Sequence, residues 1–172
     1  MVIKQLLRYA TITLLTASCG AALATETARP VARDADDSGG GMIERGRYLV
    51  RVAGCNDCHT PGYAQTAGKV PEREWLVGDQ LGWHGPWGTT YATNLRIALS
   101  QMSEDQWLSA ARSNASRPPM PWFGLRDMAD DDLRAIYRFI RSLGVAGSPA
   151  PAYVPPGKQP TGVTVLFPMP PT

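Results

Sequence analysis

Cysteine and histidine are scarce in this chain of 172 residues: the cysteines are Cys19, Cys55 and Cys58, and the histidines are His59 and His84. With Cys19 assigned to an N-terminal leader, two thiols remain, too few for a disulfide framework. No second Cys/His pair complements Cys55, Cys58 and His59, so a zinc tetrahedron cannot be completed. Excess charge is missing too. Of the 17 basic residues, Lys4 and Arg8 fall in the leader, and the other 15 balance 15 acidic residues. Nothing in that balance points to nucleic acid or another polyanion. Long apolar runs are absent beyond the leader, and the leader's own run, from Tyr9 to Cys19, is too short and threonine-rich for a transmembrane helix. There is no internal repeat, and the length suits one domain.

What is present begins with an export signal. Lys4 and Arg8 precede the apolar run containing Leu14, Leu15 and Ala17, and Ala22-Leu23-Ala24 forms an A-x-A cleavage site. Residues 1–24 read as a signal peptide, and a bacterial periplasm as the destination. A competing use of Cys19 is lipidation: Ala17 and Ser18 are small residues beside it, although Thr16 stands where leucine is expected, and an acyl anchor would tether the protein to the membrane. Residues 25–41 are polar, charged and glycine-ended, which predicts a flexible linker. A core domain follows over 42–148, and then a proline-rich tail over 149–172.

Cys55-Asn56-Asp57-Cys58-His59 has the C-x-x-C-H spacing of a c-type haem attachment site. Two thiols so spaced can add to the two vinyl groups of one porphyrin. The histidine that follows is held under the ring, where an imidazole nitrogen can coordinate iron. A disulfide redox pair would not need His59. One covalently attached haem c is therefore expected, bonded through Cys55 and Cys58.

Three helices are predicted. The first runs from Met42 to about Gly54, with Ile43, Gly46, Leu49, Val50 and Ala53 at helical spacing. Gly46 costs about 1 kcal/mol there relative to alanine, which implies close packing. A second begins at Ser103, where Ser103 and Gln106 make a capping box and Met102 and Trp107 a hydrophobic staple. The last places Asp130, Asp131 and Asp132 in its first turn, repeats Leu133, Ile136, Tyr137, Ile140 and Leu143 on one face, and stops at Gly144. Arg134, Arg138 and Arg141 occupy the opposite face, read as solvated with a partner-docking strip as the alternative. Between His59 and Met102 periodicity is weak. That stretch is expected to wrap the haem, lining it with Trp75, Trp83, Trp87 and Tyr91. In the tail, the apolar run Val163–Phe167 is expected to strap across the domain and bury Val163, Val165 and Phe167, with partner docking as the alternative.

The second axial position decides what such a haem does. Methionine there closes the iron to small molecules and raises its potential, which suits electron transfer. Met42, Met102, Met120, Met128, Met169 and His84 are the available residues. Met120 stands out because it lies in Arg117-Pro118-Pro119-Met120-Pro121-Trp122, where prolines stiffen the chain and remove backbone donors. His84, in Gly82-Trp83-His84-Gly85-Pro86-Trp87, is the competitor.

In order along the chain, the Gly46 helix, Cys55–His59, the Met120 loop and the amphipathic last helix resemble the class I (monohaem) cytochrome c family over about residues 42–144. Arg45-Gly46-Arg47-Tyr48-Leu49-Val50, Gly88-Thr89-Thr90-Tyr91-Ala92-Thr93-Asn94 and Met120-Pro121-Trp122 are most similar to haem domains of bacterial membrane-associated dehydrogenase cytochrome c subunits. The resemblance implies an all-α fold, few helices and long loops around one haem, in which the first and last helices cross near Gly46 and Tyr137. It implies His59 and Met120 as axial ligands. For Asn94 and Arg96 it suggests a bond to a haem propionate or to the methionine loop, with capping of a loop as the alternative. The expected function is a periplasmic carrier of single electrons, not an enzyme. A dehydrogenase or quinol-oxidising complex would be its donor, and an oxidase or reductase its acceptor. The alternatives are a relay subunit of a dehydrogenase complex, or a five-coordinate haem sensor or enzyme.

Overall fold

The computed structural model describes residues 39–168. The signal peptide, Cys19, the linker as far as residue 38, and Met169 lie outside the described residues. α1 (Gly39–Val52) and α6 (Asp130–Ser142) cross at Gly46. A Cβ at Gly46 would overlap the Ala135 carbonyl oxygen and stand 2.6 Å from its carbon and 2.7 Å from Cβ of Phe139. Glycine alone lets the two backbones meet, which outweighs its intrinsic cost within a helix. The contact falls on Ala135 and Phe139, which flank the expected Tyr137. That residue's hydroxyl instead donates to the Met102 carbonyl at 2.7 Å. α1 takes residues 39–41 from the expected linker and ends at Val52, just before Gly54 turns the chain with φ +72°.

α6 buries Leu133, Ala135, Ile136, Phe139 and Ile140. Leu133, Ile136, Phe139 and Ile140 join Val50, Trp75, Leu76, Leu99, Trp107 and Leu108 in one core. α4 (Glu104–Ser113) opens with the expected capping box: Ser103 Oγ accepts from the Gln106 amide and Gln106 Oε1 accepts from the Ser103 amide. Trp107 of α4 donates its indole N–H to the Leu133 carbonyl at 3.0 Å. The arginine face of α6 is not simply solvated. Arg134 Nη1 reaches Glu104 Oε1 at 2.7 Å and Arg138 Nε reaches Glu104 Oε2 at 3.0 Å, so α4 is stapled to α6. Arg141 donates to the Leu99 carbonyl.

The stretch between His59 and Met102 is more ordered than its weak periodicity suggests. It holds a short 3-10 turn at Glu72–Glu74, a hairpin of β1 (Gly82–Gly85) and β2 (Gly88–Tyr91), and α3 (Leu95–Ser100). The tail supplies β3 (Thr164–Leu166), parallel to β1, giving the order β2-β1-β3. The expected helical architecture thus stands in the helices described, with a small three-stranded sheet added. The tail does strap the domain, but its burial differs from expectation. Phe167 packs on Trp83 and Trp87 at ring separations of 6.1 and 5.1 Å. Val163 stays 76% exposed and Val165 37%: Val163 lies before the strand, and β3 is an edge strand of the small sheet.

Gly46→Ala should lower stability by about 3 kcal/mol, since neither backbone can retreat without breaking its helix, and thermal or urea unfolding measures it. Glu104 is held below the ordinary carboxylate range by its hydrogen bond to Arg138, then by Arg134, against the opposing effect of burial. A depressed carboxylate stabilises the fold above its unfolded-state pKa and loses that contribution as pH falls through its folded value. Glu104→Gln should therefore cost about 1 kcal/mol at neutral pH, and the gap to wild type should close in acid.

Candidate functional site

The site starts at Gly54, whose left-handed backbone turns the chain out of α1 and into α2 (Cys55–His59). Cys55 and Cys58 are half-buried free thiols. Burial pushes the Cys55 thiol up to about 11 and, with Asp57 and Asp79 adding to it, raises Cys58 as well. Both are neutral thiols at pH 7, unlike the lowered thiolates of redox C-x-x-C pairs. His59 is buried, and its Nδ1 lies 2.7 Å from the Thr93 carbonyl oxygen. A carbonyl can only accept, so Nδ1 carries the proton and Nε2 keeps its lone pair. Desolvation holds the ring's pKa down, with the Thr93 bond as a smaller opposing influence. A buried network fixes α2 from below: Thr60 Oγ1 donates to Asn56 Oδ1 at 2.7 Å and accepts from the Leu76 amide at 2.8 Å.

Cys55, Cys58 and His59 line a cavity of about 890 Å³. Its other walls are Leu95, Ala98 and Leu99 of α3, Trp107, Ala110 and Ala111 of α4, and Ile136 and Ile140 of α6. Pro119, Met120, Pro121 and Trp122 close another side, leading into α5 (Trp122–Asp127). Met102 and Met128 reach the same cavity, but Met128 also packs against the core and neither is flanked by prolines. His84 does not line it; its Nδ1 pairs with Thr89 Oγ1 at 2.7 Å.

The expected haem surroundings divide. Trp83 and Tyr91 line the cavity. Trp75 lies in the protein core, donating to the Val70 carbonyl, and Trp87 packs on Phe167 with its indole N–H buried and unpaired. Asn94 and Arg96 take the capping role. Asn94 Oδ1 accepts from the Ile97 amide to cap α3, and its Nδ2 donates to the Ala146 and Ser148 carbonyls. Arg96, only 6% exposed, donates to the carbonyls of Arg73, Leu143 and Gly144, covering the C-terminal end of α6. Sequence reasoning missed Trp107, Trp122, Thr90 and Tyr153 as cavity residues. It also missed Thr93, which acts through its main-chain carbonyl and so leaves no side-chain signal. Among the described residues, no group of three or more His, Cys, Asp or Glu side chains could hold a bare metal ion.

The family model of cytochrome c matches residues 43–144, more than half of the chain. The chain belongs to the cytochrome c family. Its α1–α6 crossing with the attachment helix directly after α1 is the class I cytochrome c fold, here with a small sheet. This cytochrome c is similar to the cytochrome c subunit of alcohol dehydrogenase (quinone) from Gluconobacter oxydans, 29% identical over 118 residues, which cover 63% of this chain and 22% of that protein. It is 28% identical over 123 residues to a nicotinate dehydrogenase subunit of Pseudomonas putida, covering 64% of this chain and 9% of that one. To the gluconate 2-dehydrogenase cytochrome c subunit of Pantoea cypripedii it is 26% identical over 115 residues, 60% of this chain and 24% of that one. The chain thus spans less than a quarter of the length of each relative. No solved structure matches it significantly.

Haem c, covalently attached, is the family's cofactor, and Cys55–His59 has its attachment spacing. The residues fit the group: two thiols and a buried imidazole whose Nδ1 is taken by the Thr93 carbonyl line one largely apolar cavity, whose volume is in the range of cofactor pockets. The Cys55→Ser, Cys58→Ser double variant should lose the haem on denaturing electrophoresis, where wild type retains it. Retention by the double variant would refute attachment at these thiols.

Proposed function

We propose that this cytochrome c passes single electrons between redox proteins in the periplasm and is not itself an enzyme. Cys55 and Cys58 would hold the haem through thioether bonds, with His59 Nε2 and Met120 sulfur as its axial ligands. The observation that carries this reading is a single cavity reached by Cys55, Cys58, His59 and Met120 together. Bound there, haem supplies a one-electron couple between Fe(III) and Fe(II). The chain's own residues supply the rest. The Thr93 carbonyl orients the His59 ring and fixes its tautomer. Leu99, Trp107, Ile136 and Ile140 exclude water from the cavity, while Pro119 and Pro121 restrict the backbone on both sides of Met120. A site held this firmly has little to rearrange when its charge changes.

The domain organisation that accompanies this reading is a leader over 1–24, a linker ending where α1 begins at Gly39, the haem domain to 148 and the tail beyond. The leader supports export. Among the described residues, no helix is long and apolar enough to cross a membrane. The dehydrogenase relatives favour a second reading, in which the domain relays electrons within or beside a dehydrogenase complex. Co-purification with a large catalytic subunit would select it over a freely diffusing carrier, whose encounters would be small and transient.

Met120→Ala should convert a six-coordinate, low-spin ferric haem to a high-spin one and lower its potential, by absorption and magnetic resonance spectra and redox titration. Met102→Leu and Met128→Leu should leave the spin state unchanged. If Met120→Ala leaves it unchanged, the electron-carrier ligation is wrong, and a high-spin wild type would favour the five-coordinate sensor or enzyme.

A further inference from the structure

The methionine loop is held from outside. From Ala115 to Pro121 the chain has neither helix nor strand, and Pro118, Pro119 and Pro121 have no amide proton to donate. Two ties reach it from elements distant in sequence. Thr90 Oγ1, on β2, donates to the Pro118 carbonyl at 2.6 Å. The Arg117 guanidinium lies 3.9 Å from the ring centroid of Tyr153, in the tail, where cation and ring face attract. Tyr153 is itself fixed: its hydroxyl donates to the Trp87 carbonyl at 2.7 Å. The next residue, Val154, exchanges backbone hydrogen bonds with Thr89 at 2.7 and 3.0 Å. Gly88, at φ +93°, makes room for that crossing, since a Cβ there would run into the Val154 carbonyl oxygen. Further along, the tail returns to the other edge of the hairpin, where the Phe167 amide donates to the His84 carbonyl at 2.8 Å. Thr90, Arg117, Met120 and Tyr153 all line the one cavity.

We propose that the β1–β2 hairpin and the C-terminal tail form a clamp on this loop, with Thr90 and Tyr153 as positioning residues that keep Met120 seated toward the haem. The inference rests on the reading of Met120 as an axial ligand. The tail then controls how often the loop swings away and lets an exogenous ligand reach the iron. Two ordinary surface contacts would stabilise the protein without affecting that opening. The clamp predicts a specific change in it.

The test uses ferric holoprotein and imidazole as the probe, with the binding rate followed at saturating imidazole, where loop opening limits it. Thr90→Val, which removes the hydroxyl and keeps the shape, and Tyr153→Leu, which removes the ring, should each raise that rate about fivefold, as expected for losing one tie of ordinary strength. Tyr153→Phe, which keeps the ring over Arg117, should raise it less than Tyr153→Leu. Glu104→Gln, which weakens the fold without touching the loop, should leave it unchanged. Hydrogen exchange gives a second readout: the Trp122 amide, bonded to the Met120 carbonyl at 2.9 Å, should exchange faster in Thr90→Val, and the Asn114 amide should not. Should Tyr153→Leu fail to fold, Thr90→Val alone decides. Rates within twofold of wild type in Thr90→Val, or an equal rise in Glu104→Gln, would overturn the clamp. Failure of the ligand reading is separate, since it shows as an unchanged spin state in Met120→Ala.

Discussion

The contact that everything else depends on is the backbone-to-backbone meeting of α1 and α6 at Gly46. It anchors α1 on α6, and from the end of α1 the left-handed turn at Gly54 leads directly into Cys55. The same crossing sets the rotation of α6, which sends Phe139 against α1 and leaves Ile136 and Ile140 to line the cavity. One missing Cβ thus links attachment site and cavity wall. Packing this close has no slack, because protein interiors respond to changes as small as one methylene.

Around that crossing, polar groups do what a larger core would otherwise do. Between α2 and α3 the chain is pinned by Thr60 to Leu76, by His59 to Thr93, and by Asn94 to the segment after α6. Leu76 is fully buried with φ +62°, an uncommon backbone for a branched residue. Its amide is taken by Thr60 and its carbonyl by the amide of Leu95, so the surroundings hold it there. These pins let irregular chain approach the cavity with its backbone groups satisfied.

What could be read from the sequence depended on whether the signal was local. The α4 capping box, the apolar stripe of α6 and the need for close packing at Gly46 are patterns within one element, and the structure has each. The hairpin was not legible. β1 and β2 are four residues each, rich in glycine, and their pairing with Val154 and β3 joins positions far apart in the chain. Asn94 and Arg96 beside a Gly-Thr-Thr-Tyr run suggested a role at the haem, but their partners are carbonyls after α6 that no spacing rule reveals. Two of the missed cavity residues share this cause: Tyr153 sits in a proline-rich tail without periodicity, and Thr93 pairs with His59 only through its backbone.

The arginines show how burial decides which polar contacts matter. Arg45 pairs with Asp132, Arg112 with Asp130, and Arg134 with Glu104, all partly open to water. Pairs so exposed contribute little to stability, because solvent screens the attraction and ordering two long side chains costs entropy. Arg96 is different: it is buried, has no carboxylate partner in its hydrogen bonds, and satisfies three carbonyls, two of them at the end of α6. Burial lowers its pKa, so the fold works against its charge. The compensation is the negative end of the α6 dipole and carbonyls that would otherwise be orphaned. In a chain whose charges nearly balance, the exposed arginines fasten helices to one another. The buried one closes the end of the helix whose Ile136 and Ile140 face the cavity.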